Sequence, residues 1–127
     1  INDRHGHDAG DKVIRSVAMQ LRKETRDSDS LGRWGGEEFL AILPDTGEAA
    51  ARVLAERMRA TLEASVSPVT GHKGTTASFG VAGAQINAED AEGRWPALLK
   101  AADDAMYRAK EGGRNRVVVA TDGATGK

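Results

Sequence analysis

The stretch RWGGEEFLAIL, residues 33–43, decides how this chain is expected to fold. Two glycines and two adjacent glutamates lie between apolar runs, and Gly-Gly supplies the positive φ that a tight β-hairpin turn requires. The pattern predicts strands over Leu31–Trp34 and Phe39–Leu43, the second ended by Pro44, which has no N–H to donate to a strand ladder. Taken alone, the motif is also compatible with an ordinary polar surface turn, so the rest of the chain has to decide what the glutamates do.

Composition limits the kinds of protein that the chain can be. Its 127 residues are the size of one domain, with 18 Lys and Arg against 19 Asp and Glu for a net charge of -1. Nothing in that balance indicates a surface for nucleic acid or for an anionic membrane. The sequence has no cysteine, which excludes disulfides, thiolate metal sites and cysteine nucleophiles. The absence of cysteine is compatible with a reducing cytosol. We expect a cytoplasmic domain, alone or as the cytoplasmic part of a larger sensor protein, that contacts neither nucleic acid nor a membrane directly.

Apolar residues recur at helical spacing in three segments, which predicts three helices that each turn one face towards a core. The helices are expected from about Asp11 to Arg26, from Glu48 to about Ser65 and from about Pro96 to Glu111, with Gly112-Gly113 as the C-cap of the last. The expected core-facing residues are Val13, Ile14, Val17, Ala18 and Leu21, then Ala50, Val53, Leu54, Met58 and Leu62, then Leu98, Leu99, Ala102, Met106, Tyr107 and Ala109.

Two further segments are typical of strands. Thr75 to Ala84 is rich in β-branched and small residues, and Arg116 to Ala120 forms a short apolar run. The order helix, hairpin, helix, strand, helix, strand matches the split βαβ pattern of ferredoxin-like folds without its opening strand. We expect an α+β fold with a central, mainly antiparallel sheet flanked by helices, in one domain over residues 1–120 that lacks its first strand, and a disordered tail over residues 121–127.

Five motifs together resemble the GGDEF domain, the catalytic module of diguanylate cyclases. In chain order they are INDRHGHDAGD at 1–11, RDSD at 26–29, GGEEF at 35–39, TTASFGVA at 75–82 and ADDAMYRAKEGGRNRV at 102–117. The resemblance spans nearly the whole chain and implies a fold similar to the palm of nucleotidyl cyclases. It also implies a role in bacterial signalling, in which two GTP molecules are condensed into cyclic di-GMP and pyrophosphate is released.

At the hairpin tip, the resemblance gives each residue a role. Gly35 and Gly36 leave room for ribose and phosphate, because they carry no side chain. Glu37 is implied as a ligand of Mg²⁺ or Mn²⁺ and as a candidate base for the ribose 3′-hydroxyl, with Glu38 as charge support beside it. The family's second metal carboxylate, an Asp on the strand before the IND motif, is absent from the sequence. We therefore expect these 127 residues on their own to be inactive or nearly so.

Four residues match the family's contacts to GTP. Asn2 and Asp11 correspond to the guanine contacts, and a carboxylate and an amide can satisfy the donors of guanine. Lys110 and Arg114 correspond to the phosphate contacts. Without the resemblance, Asp11 could simply be a helix N-cap, and the two basic residues could simply be favourably placed at a helix C-terminus.

The RDSD segment matches the RxxD inhibitory site of product-inhibited cyclases. There, Arg26 is implied to grip phosphate and guanine of cyclic di-GMP, Asp29 to take the guanine edge, and Arg57 to contribute from the following helix. Without the resemblance, Arg26 and Asp29 could form an ordinary solvated charge pair.

The implied reaction needs two domains facing each other, so the resemblance predicts a homodimer with GTP as substrate and cyclic di-GMP as product and inhibitor. One alternative is a non-catalytic domain that acts as a receptor for cyclic di-GMP or GTP. Another is a ferredoxin-like RNA-binding module, but such sheets need stacking aromatic residues and the chain has only 2 Trp, 1 Tyr and 2 Phe.

Overall fold

The computed structural model describes residues 2–35, 38–65, 76–86, 89 and 91–121, and the side chains of all of these except 2–11 and 91. The elements in chain order are α1 (Asn2–Lys23), β1 (Ser30–Gly35), β2 (Glu38–Ile42), α2 (Glu48–Ala64), β3 (Phe79–Val81), α3 (Ala91–Glu111) and β4 (Val117–Val119). The chain divides into two compact units, one of Ile1–Pro44 with Ala60–Thr75 and one of Asp45–Arg59 with Thr76–Lys127. None of the described helices has the length and apolar character that crossing a membrane requires.

The predicted hairpin is confirmed in the first unit. β1 and β2 pair antiparallel, with Arg33 opposite Phe39 and Gly35 opposite Glu38. The register shifts between Arg33 and Gly35, so Trp34 is the extra residue of a β-bulge and has no partner in the ladder. A β-bulge bends its strand, and this one lies directly before the two glycines in the sequence.

The first helix is longer at its N-terminus than the sequence predicts. α1 begins at Asn2 rather than Asp11 and ends at Lys23 rather than Arg26. The early start was missed because the polar segment NDRHGHDAGD has no apolar stripe, so its periodicity could not indicate a helix. The helix ends in a tightened turn, in which the backbone N–H of Glu24 donates to the carbonyl of Leu21 at 3.0 Å. The predicted inward face is confirmed, since Leu21 is buried and the other four residues are partly buried.

The second unit holds a parallel strand pair and most of α2. β3 and β4 pair in parallel with Phe79 opposite Val117 and Val81 opposite Val119, and Ala55 of α2 packs with Val81 and Val119 in one core cluster. α2 begins at Glu48 as predicted. Its predicted inward face is partly wrong, because Ala50 and Val53 are exposed; the residues that are buried or partly buried are Ala51, Leu54, Ala55, Met58 and Leu62.

Proline position misled the prediction of α3. The helix begins at Ala91, so Pro96 lies inside it rather than at its first position. Pro96 is past the first turn, so it removes the N–H that would bond the carbonyl of Glu92, and the helix continues through it in spite of that loss. Tyr107 is 62% exposed and not in the core, because it lies about 200° around the helix from the fully buried Ala105 and Ala109. The other predicted inward residues are buried or partly buried.

The two later strands are shorter than predicted. β3 covers Phe79–Val81 rather than Thr75 to Ala84, and β4 covers Val117–Val119 rather than Arg116 to Ala120. Propensity marks where a strand can form, but the length of its partner decides where pairing stops. Gly80 lets α3 pack directly on β3, because a Cβ there would overlap the carbonyl oxygen of Ala102 and the backbone nitrogen of Met106. Thr75 and the predicted tail beyond Thr121 lie outside the described residues.

Candidate functional site

The hairpin tip offers open space next to a carboxylate. Gly35, the last residue of β1, is exposed, and among the described residues, its chain neighbours apart, no heavy atom lies within 4 Å of the position that a Cβ would take. Glu38, the first residue of β2, is partly buried opposite it. Gly36 and Glu37 lie outside the described residues, so their roles stay predictions. The described part of the tip therefore has room for a ligand beside Gly35.

The donors at this tip suit a hard divalent cation. Carboxylate oxygens are the ligands that Mg²⁺ and Mn²⁺ prefer. Glu38 supplies a carboxylate opposite Gly35, and Glu37 precedes it in the sequence but lies outside the described residues. Across the described ranges, no three His, Asp or Glu side chains gather into a group that could hold a metal. The fit to a divalent ion therefore rests on the carboxylate chemistry of the two glutamates and not on a group of metal ligands brought together among the described residues.

The two predicted guanine contacts both belong to α1. Asn2 is its first residue and Asp11 lies well inside it, and the side chains of both lie outside the described part. The alternative role of Asp11 as a helix N-cap is wrong, because the helix begins at Asn2. Their contacts to guanine stay predictions.

The predicted phosphate contacts flank the C-terminal turn of α3. Lys110 is in the last turn, and Arg114 follows the glycine pair. The backbone N–H of Gly113 donates to the Lys110 carbonyl at 3.4 Å, and that of Arg114 donates to the Ala109 carbonyl at 2.9 Å. With φ of 124° at Gly113, this is a Schellman cap, which confirms the predicted glycine cap. It brings Lys110 and Arg114 to the same helix end.

Sequence reasoning missed two residues that brace this turn. Arg114 and Asn115 both have positive φ, 63° and 47°. Arg59 of α2 donates through Nη1 to Asn115 Oδ1 at 3.1 Å and through Nε to Glu56 Oε1 at 2.8 Å. Asn directly after Gly-Gly-Arg was the one available signal, because Asn tolerates the left-handed region better than most residues. Its contact with Arg59 could not be seen in the sequence.

Arg26 and Asp29, in contrast, are brought together. Arg26 Nη2 donates to Asp29 Oδ1 at 3.0 Å and Nε to Oδ2 at 3.4 Å, while the backbone N–H of Arg26 donates to Oδ2 at 2.8 Å. The hydrogen bond from the Arg26 side chain, followed by that from its backbone, holds the pKa of the Asp29 carboxyl below its ordinary value of 3.8. The alternative of an ordinary solvated pair is half correct, since the Arg26 side chain is 56% exposed but that of Asp29 only 2%.

Two neighbours hold this pair, and neither was predicted. Arg26 Nη2 also donates to the Pro44 carbonyl at 2.7 Å. Arg22 Nη1 donates to the Asp29 carbonyl at 2.8 Å and to Thr25 Oγ1 at 3.0 Å. The turn between α1 and β1 is therefore held by the hydrogen bonds of two arginines, Arg22 and Arg26.

Arg57, the third residue of the predicted inhibitory site, lies on α2 in the second unit, and it is exposed. Its predicted contact with cyclic di-GMP stays a prediction.

The proteins similar in sequence to this chain include two diguanylate cyclases and a response regulator. The chain is 39% identical over 120 residues to Diguanylate cyclase A of Treponema denticola, 44% identical over 121 residues to Diguanylate cyclase DgcP of Pseudomonas aeruginosa, and 46% identical over 124 residues to the Response regulator PleD of Caulobacter vibrioides. The matches cover 94%, 94% and 93% of this chain but 31%, 17% and 26% of the relatives. The chain thus spans less than a third of the length of each.

Solved structures of GGDEF domains share its fold. The GGDEF domain of DgcB from Caulobacter crescentus, in complex with c-di-GMP, matches with a TM-score of 0.77 at 31% identity, over 94% of this chain and 70% of that one. The active GGEEF domain of a diguanylate cyclase from Vibrio cholerae matches with a TM-score of 0.76 at 30% identity, over 94% and 74%. These likenesses confirm the predicted fold class. Residues 1–116 match the family model described as Diguanylate cyclase, GGDEF domain, and the chain therefore belongs to that family.

Proposed function

We propose that the chain is the GTP-condensing domain of a diguanylate cyclase. Such a domain joins two GTP molecules into cyclic di-GMP and releases pyrophosphate. The observation that carries the proposal is the described part of the hairpin tip, which leaves open space at Gly35 and has a carboxylate at Glu38. Membership of the GGDEF family and the diguanylate cyclases among its relatives support the same reaction.

In the proposed reaction, the 3′-hydroxyl of one GTP attacks the α-phosphate of another. Glu37 is the proposed base that accepts the hydroxyl proton, and Gly35 and Gly36 let the nucleotide approach the backbone. When the two nucleotides are held in line, they no longer have to meet by diffusion in the right orientation. We expect much of the rate acceleration to arise from this positioning. Because each domain binds one GTP, we propose that catalysis takes place in a homodimer, in the cytoplasm.

We assign a divalent ion, Mg²⁺ or Mn²⁺, to Glu37, with Glu38 as charge support beside it. When bound, such an ion supplies positive charge against the triphosphate. The family's second metal carboxylate is not among these residues, so we propose that the 127-residue chain by itself condenses GTP at least about a hundredfold more slowly than the full-length protein.

The remaining proposed contacts hold the substrate. Asn2 and Asp11 recognise the guanine, because a carboxylate accepts from its N1 and N2 donors and an amide both donates and accepts. Lys110 and Arg114 neutralise the phosphates from the C-terminal turn of α3, where the Schellman cap fixes the backbone between them.

Product inhibition is proposed for Arg26, Asp29 and Arg57. The Arg26 side chain is 56% exposed and is the part of the pair that solvent and a phosphate can reach, whereas Asp29 is covered by its bonds to Arg26. A phosphate accepts two parallel N–H bonds from arginine as readily as a carboxylate does. We therefore propose that cyclic di-GMP first meets Arg26, and that Asp29 reaches the guanine edge only when Arg26 has exchanged partners.

The test is to incubate the full-length protein with Mg²⁺ and either GTP or ATP and to identify the products by mass spectrometry. We expect cyclic di-GMP and pyrophosphate from GTP and no cyclic dinucleotide from ATP. Tight binding of cyclic di-GMP with no product from GTP would favour the non-catalytic receptor instead. Failure to bind either guanine nucleotide would overturn both. The 127-residue chain, assayed in parallel, tests its expected low activity.

A further inference from the structure

Three consecutive residues after α3 have positive φ, which is unusual for residues that carry a Cβ. The angles are 124° at Gly113, 63° at Arg114 and 47° at Asn115. Glycine adopts such angles without strain, whereas Arg114 and Asn115 do so against a steric preference. Conformations of this kind persist only where the surrounding contacts fix them, and they are concentrated at functional sites.

Local contacts fix the backbone on both sides of Arg114. Its N–H donates to the Ala109 carbonyl at 2.9 Å, and its carbonyl accepts from Arg116 Nε at 3.1 Å. The carbonyl of Arg116 in turn accepts from the N–H of Phe79 at 2.9 Å, which ties the loop to the start of β3. None of these three hydrogen bonds involves the side chain of Asn115.

Arg59 of α2 contacts the side chain of Asn115. Its Nη1 lies 3.1 Å from Asn115 Oδ1, across 56 positions of sequence, and its Nε lies 2.8 Å from Glu56 Oε1. The Arg59 side chain is only 23% exposed, so its planar guanidinium is held at two edges in a partly shielded place. We infer that Arg59, oriented by Glu56 and acting through Asn115, is a positioning residue that holds Arg114 in the left-handed conformation from which it contacts the phosphates of GTP. The inference rests on the proposed function, which makes Arg114 a phosphate contact.

Loss of Arg59 should therefore weaken GTP binding without removing any group that touches GTP. Arg114 would remain, but it would occupy the binding-competent conformation for a smaller fraction of the time, and the apparent dissociation constant rises as that fraction falls. If the fraction falls to about one fifth, half-saturation needs about fivefold more GTP, while kcat changes by less than about twofold.

The experiment is a double-mutant cycle in the full-length protein, with pyrophosphate release as the assay and the thermal midpoint as the check on folding. The variants are Arg59→Gln, Arg114→Ala and the pair, with Arg52→Gln, an exposed arginine on the same helix, as the matched control. We expect Arg59→Gln to raise the KM for GTP about fivefold and Arg52→Gln to leave it unchanged. In the Arg114→Ala background, Arg59→Gln should add nothing. Asn115→Gly should likewise abolish the effect of Arg59→Gln.

The outcomes separate this inference from the proposed function. If Arg114→Ala raises KM but Arg59→Gln behaves like Arg52→Gln, or if Arg59→Gln keeps its full effect beside Arg114→Ala, the positioning role is wrong and the cyclase proposal stands. If Arg114→Ala leaves KM unchanged, the phosphate contact itself is wrong. Should Arg59→Gln lower the thermal midpoint, Arg59→Lys and Glu56→Gln decide: each should raise KM by about twofold, and wild-type values in both would overturn the inference.

Discussion

The carboxylate of Asp29 is enclosed by Arg26, whose Nη2 lies 3.0 Å from Oδ1 and whose backbone nitrogen lies 2.8 Å from Oδ2. The buried member of the pair is the acid, and the exposed member is the base. A sequence motif expected to offer both groups to a ligand therefore presents mainly the Arg26 side chain in this structure. The pair has consequences for pH dependence and for product binding.

Asp29→Asn should reduce the acid sensitivity of the fold. Because Arg26 lowers the pKa of folded Asp29 below 3.8, its contribution to stability is complete above that value and is lost as the pH falls through the folded pKa. We expect wild type to be more stable than Asp29→Asn at neutral pH, and the difference to shrink below about pH 4. Urea unfolding from pH 7 to pH 3 measures it, with Asp103→Asn on the exposed face of α3 as control. A difference that stays constant over this range would contradict the account.

Arg26→Ala should relieve product inhibition. Removing the guanidinium deletes a charge-assisted, two-pronged contact to phosphate, for which we expect at least about tenfold weaker binding of cyclic di-GMP. The uninhibited initial rate should stay close to that of wild type. Titration calorimetry with cyclic di-GMP measures the change, and Arg15→Ala, an exposed arginine on α1, should bind as wild type does. Equal affinity in Arg26→Ala would exclude this residue from the inhibitory site.

Gly80→Ala should destabilise the second unit. The added methyl would overlap the backbone of Ala102 and Met106, and neither strand nor helix can yield without loss of packing. We expect a loss of about 1–3 kcal/mol in the free energy of unfolding, measured by urea denaturation. Gly32→Ala is the matched control, since in the described part of the chain, its neighbours apart, nothing lies within 4 Å of a Cβ at that position. Equal stability of the two variants would show that α3 does not approach β3 so closely.

Two glycines of α3 and its cap should respond to alanine in opposite directions. Gly93 is exposed inside the helix, and no atom of the described residues beyond its neighbours lies within 4 Å of a Cβ there, so Gly93→Ala should stabilise the protein by about 0.5–1 kcal/mol. Gly113 has φ of 124° and lies against the guanidinium of Arg116, so Gly113→Ala should cost about 1–3 kcal/mol. Thermal unfolding of both variants checks the signs. A neutral Gly113→Ala would mean that the Schellman cap tolerates a side chain.

Local sequence patterns predicted much of the fold. The hairpin, the start of α2 at Glu48 and the glycine cap of α3 were predictable, because turn chemistry and helical spacing depend on neighbours in sequence. The start of α1 was not, since Asn2 begins a polar stretch without periodicity. Pro96 misplaced the start of α3, because a proline near a helix N-terminus does not have to be its first residue.

The candidate site was predictable only in its residue types. The motif identified Arg26 and Asp29, and the structure pairs them. Asp29 is also buried by this pairing, and that burial depends on the conformation of the turn, which the motif does not reveal. Arg59 and Asn115 meet across 56 positions, and no local pattern in one sequence contains that contact. Burial and long-range partners are products of tertiary packing, so they become visible only in the folded chain.

The most direct test of the central claim compares wild type with Glu37→Gln in the full-length protein, by following conversion of GTP to cyclic di-GMP with Mg²⁺. The substitution keeps the size of the side chain and removes the charge that would hold the ion and accept the proton. We predict product from wild type and at least about a hundredfold lower rate from Glu37→Gln, with cyclic di-GMP binding retained. Wild-type turnover by Glu37→Gln would contradict the account.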